Sequence, residues 1–444
     1  MITDAFNVVF WGIVTFSILV VIHEAGHFVA ARAFGLHVHE FMIGLPGPSI
    51  RFHGKKTAYG ITAIPLGGYV RIAGMEPGAE DELLPAAFDA ALEAGALDAA
   101  ALAERLEIDP DRAATLLFTL QDWAAVVPAE EARGEALAAA ASEFGATRTV
   151  AALSGKNVYV PKQTPEPGES SAELFAGIRQ ATFRGASTWK RIVILSMGVL
   201  VNLFMAILVF TIVLSTFGYY TQSLTLADVV PGGAADSAGI TGGDTITSFD
   251  GEPVEDWNGL VSSIAAKEPG DRVAVAYERE GAELNVSVTI GENEETGGPY
   301  LGVETTIEHV KLSPWAAIVE SVSWTGLVFA AIVSFFNPET FSTAVEGARG
   351  VVGISIEAAE AVKNGPLDYA WLVALLSLSL GVMNILPIPP LDGGKIVLEI
   401  VEKFRGKPLN RNVVIGFSLA GALLLFSFIG YIMYADVMRY FVNT

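Results

Sequence analysis

Long apolar runs separated by polar stretches divide the chain before any single residue is weighed. Residues 6–34, 192–217, 367–386 and 413–434 are each nearly unbroken in apolar side chains, and about 20 such residues in a helix cover the roughly 30 Å hydrocarbon core of a bilayer. They predict four transmembrane helices. A fifth run, 315–336, is interrupted by Glu320, Ser321, Ser323 and Thr325, which predicts an interfacial amphipathic helix or a packed re-entrant element rather than a crossing. The first run follows Asp4 with no basic segment ahead of it and is too long for a leader's apolar core, so it is expected to remain in the protein.

The intervening stretches carry different patterns. Residues 80–150 are Ala-rich, and 96–127 reads as a helix, a turn at Asp109-Pro110 and a second helix. Residues 161–171 (PKQTPEPGESS) read as a linker. From 224 to 303 short β-type runs alternate with turn signals, in the order strand, Pro-Gly, short Ala-rich helix, Gly-Gly-Asp turn and strand. That order resembles a PDZ domain. The expected organisation is therefore a first transmembrane helix and hairpin over 1–75, an acidic helical insert and linker over 76–170, and a second transmembrane helix over 171–220. A PDZ-type domain follows over 221–306, then an amphipathic or re-entrant connection over 307–366, and the last two transmembrane helices over 367–444.

Charge fixes the orientation. Residues 76–174 hold 19 acidic and 6 basic side chains and 218–366 hold 22 and 6, so of the net −22 the remainder contributes +7. Two acidic soluble regions attached to a mildly basic membrane core do not suit a nucleic-acid partner. Of the 27 Lys and Arg, 15 fall from Arg32 to Arg191 and 5 between the third and fourth runs. By the positive-inside bias those connections are cytoplasmic, and both termini and the 218–366 region lie outside the inner membrane. The chain has no cysteine, which leaves histidine and carboxylate as the ligands for any catalytic metal.

Such a set exists. His23, Glu24 and His27 form HEAGH in the first run, and a four-residue spacing puts both imidazoles on one helix face, able to share a zinc ion, Zn²⁺, with Glu24 beside it as general base. Ionisable groups inside a span are costly and mark function. Seventeen residues of helix separate Phe6 from His23, or about 26 Å, which places the motif just inside the cytoplasmic edge of the core. The third ligand is expected from Asp392, in NILPIPPLDGG (384–394), where prolines end the third run on that same side. Were 315–336 a full crossing, Asp392 would emerge on the opposite face, so the parity argument favours four crossings.

HEAGH in the first span, NILPIPPLDGG in the third and a PDZ-type domain between the second and third resemble, in order and placement, the site-2 protease family of intramembrane zinc metalloproteases, bacterial RseP type. The resemblance covers most of the chain outside 77–170. It implies a polytopic α-helical membrane protein with four transmembrane helices, a re-entrant β-hairpin at 57–74 (TAYGITAIPLGGYVRIAG) and a Met197–Asn202 stretch like the family's Gly-Pro-x-x-Asn. The proline is missing after Gly198, and 44–48 and 346–355 match only loosely. The implied function is zinc-dependent cleavage, within the bilayer, of single-span membrane proteins such as an anti-sigma factor or a residual signal peptide. An edge at Ile64, Gly67 and Gly68 would pair with unwound substrate, with Asn384 and Asn202 also toward the substrate, and a loop at Tyr300, Leu301, Gly302 and Val303 would hold a peptide terminus at the PDZ domain. The rivals are a non-catalytic PDZ-bearing membrane scaffold, disfavoured by the intact HEAGH and LDG, and a transporter, disfavoured by the single zincin-like motif and the absence of repeated halves.

Overall fold

A computed structural model describes residues 2–54, 57–65, 67–76, 80–132, 158–293 and 296–442; the part of the expected helical insert between 133 and 150 lies outside them. The described residues contain five helices long and apolar enough to cross a membrane: Ala5–Ala33, Thr188–Phe217, Pro314–Ser334, Pro366–Ile385 and Arg411–Tyr440. The multi-pass expectation holds, and the interrupted fifth run is also one continuous helix of 21 residues. The chain divides into two units, residues 1–209 with 320–444, and residues 210–319.

In the first unit, helix α1 (Ile2–Ala33) carries HEAGH and leads into four short strands, β1 (Val38–Ile43), β2 (Ser49–His53), β3 (Ala58–Thr62) and β4 (Gly68–Ile72). They form one sheet in the order β2-β3-β1-β4. The expected hairpin is therefore not one. β3 and β4 lie on opposite sides of β1, which pairs with β3 in parallel and with β4 antiparallel. The segment between them bonds instead to the residues that follow β1: the Gly44 N–H donates to the Gly67 carbonyl and the Leu45 N–H to the Ile64 carbonyl. Gly44 sits at φ +102° with no room for a Cβ, which would meet Thr62 Oγ1 at 2.1 Å. The true hairpin pairs β2 with β3 and turns Ile50, Phe52, Tyr59 and Ile61 outward, all exposed.

The insert folds as its pattern predicts where it is described. α2 (Leu84–Ala94), α3 (Ala99–Leu106) and α4 (Pro110–Asp122) pack on a core of Leu84, Phe88, Leu102, Leu116, Leu117, Leu120 and Trp123. Asp98 and Asp109 cap their helices through the Ala101 and Asp111 amides, and Pro110 takes the first helical position, where its missing N–H costs nothing. Strands β5 (Val126–Pro128) and β6 (Tyr159–Pro161) close this unit. Helix Ser171–Gln180, expected to lead into the second span, belongs to the insert instead: Leu174, Phe175 and Ile178 are part of the same core. A capping box at Ser170 and Glu173 starts it.

The second unit is built on one sheet. β7 (Tyr219–Val229) and β8 (Thr245–Phe249) are followed by strands Arg272–Arg279, Ala282–Thr289 and Val303–Val310. Read across, the sheet runs Ala282–Thr289, Arg272–Arg279, β8, β7 and Val303–Val310, so Val303–Val310 is an edge strand. Leu226, Ile246, Phe249, Leu260, Val273, Val275, Val288 and Leu301 fill its core. Helix Trp257–Ala265, capped by Asp256 onto the Gly259 amide, contributes Leu260.

Candidate metal centre

α1 brings His23 and His27 to one face, and the break after helix Pro366–Ile385 brings Asp392 to them. His23 Nε2 lies 2.9 Å and His27 Nε2 3.1 Å from Asp392 Oδ2, and the two Nε2 atoms are 3.2 Å apart. All three side chains are buried. Zinc bonds of about 2.0–2.1 Å in a tetrahedron separate neighbouring donor atoms by roughly 3.3 Å, so this triangle has nearly the size of one tetrahedral face. These three side chains would hold a zinc ion, and three protein donors would leave it open to water or substrate. Among the described residues it is the one such His/Asp/Glu group of three.

Surrounding groups orient the donors. His27 Nδ1 lies 2.8 Å from the Ile194 carbonyl, which can accept only from N–H, so Nδ1 carries the proton and Nε2 keeps its lone pair for a metal. His23 Nδ1 lies 3.4 Å from the amide of Asn202, a fully buried residue whose Oδ1 has no partner. Exchanging the amide's O and N lets Oδ1 accept from His23 Nδ1–H and gives His23 the same tautomer. Burial works against ionisation of Asp392, but in the metal-free site its contacts with the His23 and His27 imidazoles, helped by Lys395, outweigh it and hold the carboxyl well below the usual range. It meets a cation as an anion. Lys395 Nζ, one turn along, is 3.2 Å from Asp392 Oδ1.

Glu24 faces the same space. Glu24, His27, Asp392 and Lys395 line one cavity of about 60 Å³ with Val70 and Ile194, and Glu24 Oε2 accepts the Val70 N–H at 3.0 Å. β4 is thus the strand beside the carboxylate, and it is an edge of its sheet.

Glycines allow this convergence. A Cβ on Gly26 would lie 2.4 Å from the Met197 carbonyl oxygen, and one on Gly198 would lie 2.6 Å from His27 Nε2. The first two spans meet backbone to backbone at the histidines. Gly393 and Gly394 likewise press on the Ile385 carbonyl and Pro389 nitrogen, folding the chain sharply enough for Asp392 to start helix Asp392–Arg405. That helix is tied down by buried pairs, Arg184 with Glu402 at 2.7 Å and Arg191 with Glu399 at 2.8 Å.

The other sequence candidates are placed as follows. Asn384 is buried and its Nδ2 donates to the Leu380 carbonyl of its own helix at 3.0 Å. Ile64 sits in the turn between β3 and β4, exposed, and not in a strand; Gly67 precedes β4 and Gly68 opens it. In the second unit Tyr300–Val303 leads into the edge strand, with Gly302 at φ +77° and the Leu301 and Gly302 carbonyls accepting from the Ala235 and Val230 amides. Sequence reasoning missed the Val70 amide, the Ile194 carbonyl and Lys395. Only Lys395, three residues past Asp392 on a helix, carried a readable signal.

The model of peptidase family M50 matches residues 11–428. The zinc metalloprotease RasP of Geobacillus kaustophilus is 27% identical over 443 residues, covering 97% of each chain. The regulator of sigma-W protease RasP of Bacillus subtilis is 26% identical over 449 residues, covering 98% of this chain and 99% of that one. Among solved structures, the PDZ domain of an SdrC-like protein from Listeria monocytogenes is similar at 20% identity, with a TM-score of 0.18, over 20% of this chain and 90% of that one.

Proposed function

The chain belongs to peptidase family M50, and from that premise we propose that it is a zinc endopeptidase that cuts membrane-anchored proteins within their transmembrane segments. His23, His27 and Asp392 are the zinc ligands and Glu24 is the general base. The observation that carries this reading is the buried triangle of three donor atoms with a second carboxylate, Glu24, on the cavity that His27 and Asp392 line.

Zinc held there supplies Lewis acidity, polarising the scissile carbonyl and easing ionisation of water. Glu24 takes the proton from the attacking water and passes it to the leaving nitrogen. The Val70 N–H keeps the carboxylate aimed while this happens. A helical substrate must unwind to expose one carbonyl, and in lipid each stranded backbone group costs several kcal/mol. We assign the replacement hydrogen bonds to the edge strand β4, with Gly67 and Gly68 at its entry, and to Asn384 on the other side; Ile64 lies too far along the turn to be the pairing residue. Asn202 acts through His23 rather than on substrate.

The chain crosses the membrane four times in this reading, with both termini and the second unit outside and the zinc site toward the cytoplasm. Contact depths support it. Trp324 meets Trp371 edge to face, five residues into the third crossing; Phe335 packs on Phe428 and Phe341 on Tyr431; and the Gly350 N–H donates to Asp436 near the end of the last. These contacts support a helix Pro314–Ser334 that keeps to the depth where the chain later re-enters and leaves. The outward apolar face of the β2–β3 hairpin is the part of the sheet assigned to the cytoplasmic leaflet.

The second unit is read as a PDZ-type gate. An extended peptide adds to the edge strand Val303–Val310 and its terminal carboxylate meets the loop at Tyr300–Val303. Deleting residues 224–306 should admit substrates that keep a bulky ectodomain; a preference for trimmed substrate that survives deletion would count against the gate. Substrates are single-span proteins such as an anti-sigma factor or a residual signal peptide, a reading in keeping with the similarity to a regulator of sigma-W protease in Bacillus subtilis. The test of the whole reading is zinc stoichiometry together with cleavage of a single-span substrate in liposomes. One zinc per chain and chelator-sensitive cleavage between residues of the span are expected. A zinc-free chain that still cleaves, or a zinc-loaded chain that never does, would overturn it in favour of the scaffold.

A further inference from the structure

The sheet that carries β4 is held at its base by the helical insert, and we propose that the insert is the seat of the catalytic strand, with Asp122 as the residue that positions β4 and, through it, Glu24. This rests on the reading of Glu24 as the base.

Two independent grips support it. Asp122, the last residue of α4, is buried; its Oδ2 accepts the Gly74 N–H at 2.7 Å and its Oδ1 lies 3.4 Å from Arg71 Nη2. The Asp122 carbonyl accepts from His39 Nε2, on β1, at 2.6 Å. Burial lowers the His39 pKa and so favours the neutral ring, and because a carbonyl only accepts, Nε2 carries the proton of this bond. The second grip is backbone only: the His37 N–H donates to the Ala181 carbonyl, and the Phe183 N–H to the Ala73 carbonyl, both at 2.7 Å. Ala181 ends the helix Ser171–Gln180, which is fixed in the insert core. One end of the β1–β4 pair is thus bonded to two separate helices of the insert.

The other end of that lever is the active carboxylate. Val70, whose N–H holds Glu24, lies one residue from Arg71 and four from Gly74. β4 has a single ladder neighbour, β1, so no second strand fixes its register from the outer edge. A buried carboxylate is costly unless its oxygens are paired, and when paired it fixes one docking geometry where apolar contact would allow several. Asp122 has that form: Gly74 and Arg71 at its oxygens and His39 at its carbonyl bind two strands in one register.

The test is Asp122→Ala and Asp122→Asn in the full-length protein in liposomes, with zinc content, kcat, KM and amide exchange followed together. Asn keeps an acceptor for the Gly74 N–H and Ala does not. Asp122→Ala should keep one zinc per chain, exchange faster at 68–74 and lose about tenfold or more in kcat, the scale expected when a catalytic group is mispositioned by a fraction of an ångström to an ångström; Asp122→Asn should recover most of it. Unchanged kcat in Asp122→Ala overturns the proposal, including when faster exchange at 84–94 shows that the insert itself has opened. Equal loss in both variants with unaltered exchange at 68–74 also overturns it. Glu24→Gln is run alongside: if that variant is as active as wild type, the base assignment fails and not the coupling.

Discussion

Glu24→Gln should retain one zinc per chain and lose at least about a hundredfold in cleavage of a transmembrane substrate, because a positioned general base contributes roughly 10²–10⁴-fold. Gln has the size of Glu and its amide oxygen can still accept the Val70 N–H that now reaches Oε2, so strand and side chain keep their places. The donor triangle is complete without residue 24, so metal binding is untouched. What disappears is the capacity to take a proton from water. Zinc analysis and single-turnover cleavage on the same liposome preparation decide it. Full turnover would remove Glu24 from the chemistry, and joint loss of zinc and activity would make it a ligand or a packing group.

The second large effect comes from a residue with no side chain. Gly198→Val, which removes no ligand, should weaken zinc binding by about 10–100-fold, the range seen when groups that orient a metal's ligands are changed. The new Cβ would lie 2.6 Å from His27 Nε2 and 2.8 Å from His23 Cε1, closer than non-bonded carbons approach. The helices cannot part cheaply, since Gly26 already rests against the Met197 carbonyl and Ile194 holds His27 from the same face. The imidazoles must turn, and Nε2 leaves the triangle. Competition with a chromophoric chelator, at unchanged helical content, measures it. Normal affinity would mean that the two spans separate at this level with little cost.

The grouping of His23, His27 and Asp392 was readable because its determinants are local or topological. HEAGH is a four-residue spacing on a helix, and Asp392 follows from prolines that stop a span on the side expected for the histidines. The turn at Asp109-Pro110 was equally plain, as cap and first-turn residue are adjacent. Pairing was not. The pattern over 58–72 declares two strands about a Pro-Leu-Gly-Gly turn, and a local hairpin is its simplest completion; that β1 lies between them depends on a partner supplied from 38–43, which periodicity cannot name. Ile64 was misplaced for the same reason. Asp122 was one acid among many in an acidic stretch, and only the fold brings Gly74 and His39 to it. Ser171–Gln180 looked like the approach to a span because its apolar face is short, and its partners lie up to 87 residues earlier, at Phe88.

The split of the donor triangle between distant parts of the chain also times the protein's own synthesis. His27 and Asp392 are 365 residues apart, and translation at about 5–20 residues per second separates them by roughly 20–70 s. On the proposed ligand assignment, a nascent chain holds the base and two imidazoles through that interval without the carboxylate that completes the site. Newly inserted neighbours in the same patch of membrane are therefore safe from a half-made protease, and a chain released before its third crossing is inert rather than uncontrolled.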